Sequence, residues 1–218
     1  MKTRRREPSP RRTDHRVRVG RARSSRTRSL LLEAALEVFA EKGPDAPVID
    51  DFARAAGVSR GTVYSHFATV AALLAATSVW TVGSAVRAID QAMARDLAPA
   101  ARVSLGLRLF LARARAEPRW ARFVARTWAL GHLDPLRRDL RAGHAAGAFR
   151  YRRIDVALDV VTGALRQALF RLADGDVPAA YADEVVGLCL QALGVPPAVV
   201  ARASREPLRD VPWVRPEA

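Results

Sequence analysis

Apolar residues recur at three- and four-residue spacing from about Arg28 almost to the end of the chain, and no strand-like alternation persists anywhere. Leu32, Ala35, Leu36 and Phe39 fall at i, i+3, i+4 and i+7, with Glu33, Glu37 and Glu41 on another face. Gly43-Pro44 follows, so a first helix is predicted over about 28–42. Ile49, Phe52, Ala53 and Ala56 mark a second, with Asp50 and Asp51 in the first turn, where the helix dipole favours negative charge, and Gly57 at its end. Ser59 is a natural N-cap for a third over about 60–65, and Thr69 for a long fourth starting at Val70. Pro99, Pro118 and Pro135 suit the first turns of three more. An eighth helix is expected over about 154–172 and a ninth over about 179–193, joined through Asp174-Gly175. Five prolines between Pro196 and Pro216 predict an irregular end. The fold class is all-α.

Charge changes this picture at one end only. The chain of 218 residues carries a formal net charge of +14. Twelve basic residues against Glu7 and Asp14 give residues 1–28 a net +10, which leaves +4 for everything else. Residues 1–23 hold Pro8, Ser9, Pro10 and scattered Arg with little that is apolar, and are expected to be disordered and able to bind nucleic acid. No uninterrupted apolar run approaches the ~20 residues of a membrane span, and no secretory signal pattern opens the chain, so a cytoplasmic protein without a membrane partner is expected. Cys189 stands alone and reads as a small buried hydrophobe. His15, His66, His132 and His144 include no pair at metal-ligand spacing on one helix, and no phosphate loop or nucleophile elbow is present. No metal, cofactor or catalytic residue is therefore expected, and the protein reads as a non-enzyme.

The informative segment is FARAAGVSRGTVYSHF, residues 52–67. A helix-turn-helix needs a small residue where two helices cross, a glycine in the turn and an apolar anchor on the second helix; Ala53, Gly57 and Val63 meet those needs. That frame leaves Ser59, Arg60, Gly61, Thr62 and Tyr64 outward at the start of the recognition helix. At this point the chain strongly resembles the TetR family of repressors, from Leu30 to Ala76 and most specifically in AGVSRGTVYSHF. The resemblance implies DNA contact by Ser59, Arg60, Gly61, Thr62, Tyr64 and His66. Arg60 suits bidentate pairing with guanine and Thr62 a thymine methyl or a phosphate, while Tyr64 and His66 suit phosphates or, alternatively, cover for the head's core. It further implies a head at 24–67, an effector and dimer domain at 68–195, and a Pro-rich tail at 196–218. Three features depart from the family pattern. Pro47-Val48 replaces the usual Ser/Thr cap, Val70-Ala71 replaces the Lys-Glu pair opening the fourth helix, and residues 29–75 carry a net −3. Arg23, Arg26 and Arg28 are the expected source of the missing cation, reaching a minor groove as arms do elsewhere, whereas residues 1–20 are as readily a bystander extension.

In the second half, apolar stripes on the eighth and ninth helices are wider than one core face and need cover from a partner; the resemblance implies that they pair with their copies in a four-helix bundle, a homodimer that suits a palindromic double-stranded operator. Trp80, Phe110, Trp120, Phe123 and Trp128 read either as core packing or as walls of a largely apolar small-molecule effector cavity. Arg126 and His132 either orient the effector or face solvent. The competing function is a nucleoid-type protein that coats DNA nonspecifically through its Arg-rich tail.

Overall fold

A computed structural model describes residues 10–94, 96–128, 133–175 and 177–213, with side chains described from Gly20 onward. Within them lie ten helices and no strand. Helices α1 (Pro10–Lys42), α2 (Ile49–Ala56) and α3 (Arg60–His66) build the head. Helices α4 (Val70–Ala92), α5 (Pro99–Ala116), α6 (Pro118–Thr127), α7 (Asp134–Ala145), α8 (Ile154–Asp174), α9 (Tyr181–Ala192) and α10 (Pro197–Ala203) build the body.

The head closes over a small apolar core. Phe52 and Val63 are wholly buried, Phe39 is 1% exposed, and the Phe39 and Phe52 rings meet at 4.9 Å. Phe39 also stacks on Phe123 of α6 at 6.1 Å, so α1 serves two cores at once. It packs on α2 on one side and on α4 and α6 on the other. In the body α8 lies against α6, α5 and α9. Gly143 in α7 is required by sterics: a Cβ there would fall 2.2 Å from the ring of Phe149, which is 1% exposed. The turn between them carries Gly147 at φ +72°. Tyr151 then donates its hydroxyl to the Leu140 carbonyl at 3.0 Å and fastens the end of this turn to α7.

Two expectations need correction. The segment 1–23 was expected to be disordered, yet from Pro10 onward it is the N-terminal part of α1; residues 1–9 lie outside the described residues. Arginine and alanine are good helix formers, and a helix already nucleated at 28–42 propagates into them without a new nucleation cost. The tail expected to be irregular contains α10, because Pro197 occupies its first turn, where no amide donor is needed. Helix α4 is long and apolar enough to cross a membrane by length and composition. Half of its apolar window is buried inside the fold, against α1, α5 and α6, and it is a core helix.

Candidate nucleic-acid interface

The turn of the helix-turn-helix is set by Gly57 at φ +64°, ψ +32°. Its N–H donates to the Arg54 carbonyl at 3.2 Å and the next N–H, of Val58, to Ala53 at 3.0 Å. This Schellman pairing satisfies the last carbonyls of α2 and swings the chain into α3. Ser59 caps α3 by accepting the Thr62 N–H at 3.1 Å, and its hydroxyl also meets that of Thr62 at 2.9 Å. Val63 anchors α3 from behind.

The start of α2 lacks a side-chain cap at Val48, as its sequence dictates. Asp51 takes over from inside the helix, its carboxylate accepting the Val48 N–H at 3.0 Å. The same carboxylate accepts from Lys42 Nζ at 2.6 Å, which ties the end of α1 to the start of α2. The Lys42 bond, and after it the Val48 N–H, hold the Asp51 carboxyl below its ordinary value, against a smaller opposing effect of burial.

On the outward face of α3, Ser59, Arg60, Gly61 and Tyr64 are exposed, Tyr64 at 51%, while Thr62 and His66 are half-buried. His66 lies beside the buried Phe67, ring centres 6.4 Å apart. Arg60 is not free: its Nε lies 2.7 Å from Asp50 of α2, both side chains exposed. Arg54 approaches Asp51 at 3.9 Å. Every Lys or Arg in residues 29–75 thus has an aspartate of α2 beside it. On α1, Arg23 and Arg26 are exposed and make no ion pair among the described residues. Arg28 instead lays its guanidinium 4.5 Å from the centre of the Phe67 ring, fastening α1 to the end of α3. Sequence patterning did not reveal the Asp50, Asp51 and Arg28 contacts; the S/T-x-x-D/E spacing that signals a capping box was hidden because Val stands at the cap.

In the body an apolar cavity of about 80 Å³ opens between α4, α5, α7 and α8. Phe110 and Trp128 line it, with Met93, Leu107, Leu136 and Leu165. Trp80 and Trp120 do not line it but border a separate cavity against the head, and Phe123 is packed in the core on Phe39. Arg126 is exposed, and His132 lies outside the described residues. The polar end of the Phe110–Trp128 cavity was invisible in sequence, since its members sit 12 and 37 residues apart. There Arg102 joins Asp90 to Asp139, the latter at 2.9 Å, and Arg138 reaches Asp90 at 2.8 Å. Such charges tolerate partial burial only because each has an opposite partner. On the far side of the body, Val156 and Val160 of α8 and Leu188 of α9 are 54%, 46% and 65% exposed.

Comparison with known proteins agrees with this architecture. Residues 31–77 match the sequence model of bacterial regulatory proteins of the tetR family, and residues 98–205 match a tetracyclin repressor-like C-terminal domain. Over 46 residues the chain is 48% identical to each of two HTH-type transcriptional regulators of Pseudomonas putida, SrpR and TtgW. That stretch is 21% of this chain, 22% of SrpR and 34% of TtgW, well under two thirds of either relative. Among solved structures, RolR in complex with resorcinol superposes with a TM-score of 0.65 at 23% identity, over 87% of this chain and 98% of RolR, a likeness of fold.

Proposed function

The chain belongs to the tetR family of bacterial regulatory proteins, DNA-binding transcriptional regulators, and from that premise we propose a repressor that grips a palindromic operator as a homodimer and is released by a small effector. The observation that carries this reading is the outward face of α3, held from behind by the Gly57 turn, the Ser59 cap and buried Val63. A surface so fixed in register suits base edges in a major groove, whereas phosphate coating alone needs no such face. Arg60 reads guanine, leaving Asp50 as it does so. Thr62, whose hydroxyl Ser59 already holds, offers its methyl to thymine; Tyr64 and His66 meet phosphates. The two-fold axis runs through the exposed apolar positions of α8 and α9. Work on the chromosome makes the protein cytoplasmic.

The cation for the phosphates comes from α1. A helix is about 10–12 Å across and a minor groove only about 6 Å wide, so Arg23 and Arg26 act from a helical rod along the backbone rather than by threading the groove. Arg28 contributes by bracing α3. The effector enters the Phe110–Trp128 cavity, whose volume of about 80 Å³ and charged Arg102 end suit a compact, mainly apolar molecule with one polar edge, as resorcinol is for RolR.

Fluorescence anisotropy on operator fragments selected from random DNA tests the readout. Arg60→Ala is expected to cost about 1–3 kcal/mol on the best site and to relax preference at one base position. Equal weakening on every sequence would move Arg60 to a phosphate.

A further inference from the structure

We propose that the seam between head and body holds a second ligand site, suited to a neutral planar aromatic molecule bearing acceptor oxygens. Its cavity, of about 420 Å³, lies between α1, α4, α5 and α6 and is bordered by Trp213 after α10. It shares no lining residue with the Phe110–Trp128 cavity.

Two side chains in its wall are almost completely buried and have a polar atom without a partner among the described residues. They are the Thr81 hydroxyl, in a residue 1% exposed, and the Trp120 indole N–H, in a residue 2% exposed. The Nε–H of Arg113, also in this wall, is likewise unpaired. Among the described residues four buried side-chain polar atoms lack partners, and three belong to this one cavity. Buried polar groups are ordinarily satisfied, and each orphan destabilises the free fold. All three residues stand in the wall of this one cavity, so an acceptor that arrives there with a ligand and draws these groups round would relieve them together.

The same wall specifies the class of molecule. Trp80 and Trp213, both only partly buried, present aromatic surface to a flat ring, with the buried Trp120 behind them. Arg113 lies 4.6 Å from the Trp120 ring centre and 4.9 Å from that of Trp213, and Glu117 already balances it at 3.4 Å. Its charge therefore does not demand an anion, and Glu33 and Glu37 in the wall repel one. A cation would leave the indole and guanidine donors unanswered. A neutral ring carrying carbonyl or ether oxygen answers all three. Because Glu33 and Glu37 belong to α1, occupancy acts on the helix that carries the head.

Coumarin, titrated into the full chain by calorimetry, tests the site independently of how DNA is read. Thr81→Val deletes one hydroxyl while nearly keeping shape, whereas Trp120→Phe deletes the indole N–H together with the volume of one ring. Each is expected to weaken coumarin about five- to tenfold. Thr81→Val is also expected to raise the melting temperature of the free protein, because an unpaired hydroxyl is gone; a hydroxyl kept for packing or structure would lower it. Gly106 and Leu136 line the other cavity, so Gly106→Leu and Leu136→Trp obstruct it and are expected to leave coumarin affinity unchanged. The proposal is overturned if no saturable binding occurs, or if benzoate binds in its place. It is equally overturned if the Gly106 and Leu136 variants abolish binding while Thr81→Val and Trp120→Phe do not affect it.

Discussion

The head and the body settle their polar groups in opposite ways. In the head, partners lie close in sequence: Ser59 with Thr62, Asp51 with Val48, and Lys42 with Asp51 only nine residues away. None of its described side chains leaves a buried polar atom unpaired. The body has local bonds too, as from Thr77 to the Leu73 carbonyl, but many of its pairs reach far along the chain, as Ser78 with Thr127 and Arg102 with Asp139, and all four orphaned atoms among the described residues lie there. A part whose polar groups are answered locally has one shape to offer, which suits reading a fixed ligand such as a groove of DNA. A part that leaves donors unanswered has stability to gain from a small molecule. The comparison thus separates a reading surface from a responding one.

Its sharpest consequence concerns charge. Local pairing leaves the three cations of residues 29–75 engaged with Asp50 and Asp51, so attraction to DNA has to come from the arginines earlier in the chain. Deleting residues 1–20 removes eight basic side chains, from Lys2 to Arg18. The slope of log affinity against log salt is then expected to fall by several units, about 7 per protomer at most. Nonspecific binding at low salt should drop by orders of magnitude while the ratio of specific to nonspecific affinity holds, as anisotropy across a salt series would record. An unchanged slope would make residues 1–20 a bystander and leave the phosphates to Arg21, Arg23, Arg26 and Arg28; the comparison itself breaks only if neutralising Arg23 and Arg26 as well leaves the slope unchanged.

Glycine substitutions sharpen it at the level of stability. Gly143→Ala places a methyl inside the Phe149 ring and is expected to cost about 3 kcal/mol in urea unfolding, with Phe149→Leu restoring part of it. Gly57→Ala meets nothing within 4 Å, so only the left-handed backbone opposes it, at about 1 kcal/mol. The body's glycine is held by packing and the head's by conformation. Equal costs would erase that distinction.

That distinction also explains what the amino-acid pattern foretold. Ala53, Gly57, Ser59 and Val63 act through neighbours within a few residues, and their roles were legible as spacing. So was the series of helices, because Pro99 and Pro118 open theirs as their type requires. The five body aromatics looked alike in sequence, yet Phe110 and Trp128 border one cavity, Trp80 and Trp120 another, and Phe123 the core. Which face of a helix meets which neighbour is decided by packing across long separations, and no local period encodes it. The helical arm was missed for a different reason: charge density argued for disorder, while the helix already formed below it supplied the nucleus.

The smallest effect tests whether local pairing in the head is electrostatic. Asp51 has its carboxyl lowered beneath the ordinary aspartate value of 3.8, first by the hydrogen bond from Lys42 and then by the Val48 N–H. A carboxyl lowered by folding stabilises the native state at pH values above its unfolded value. That contribution is lost as pH falls through the folded one. The lock between α1 and α2 should therefore hold from neutral pH down to about the ordinary aspartate value and weaken on further acidification. Other carboxyls titrate in the same window, so the informative quantity is the difference between the wild type and Asp51→Asn. The amide keeps an acceptor for the Val48 N–H but cannot hold Lys42 as an ion. Thermal melts against pH should show the two proteins apart at neutral pH and converging below 3.8. Parallel curves through that window would show the lock to be geometric, with the hydrogen bond to Val48 as its whole substance.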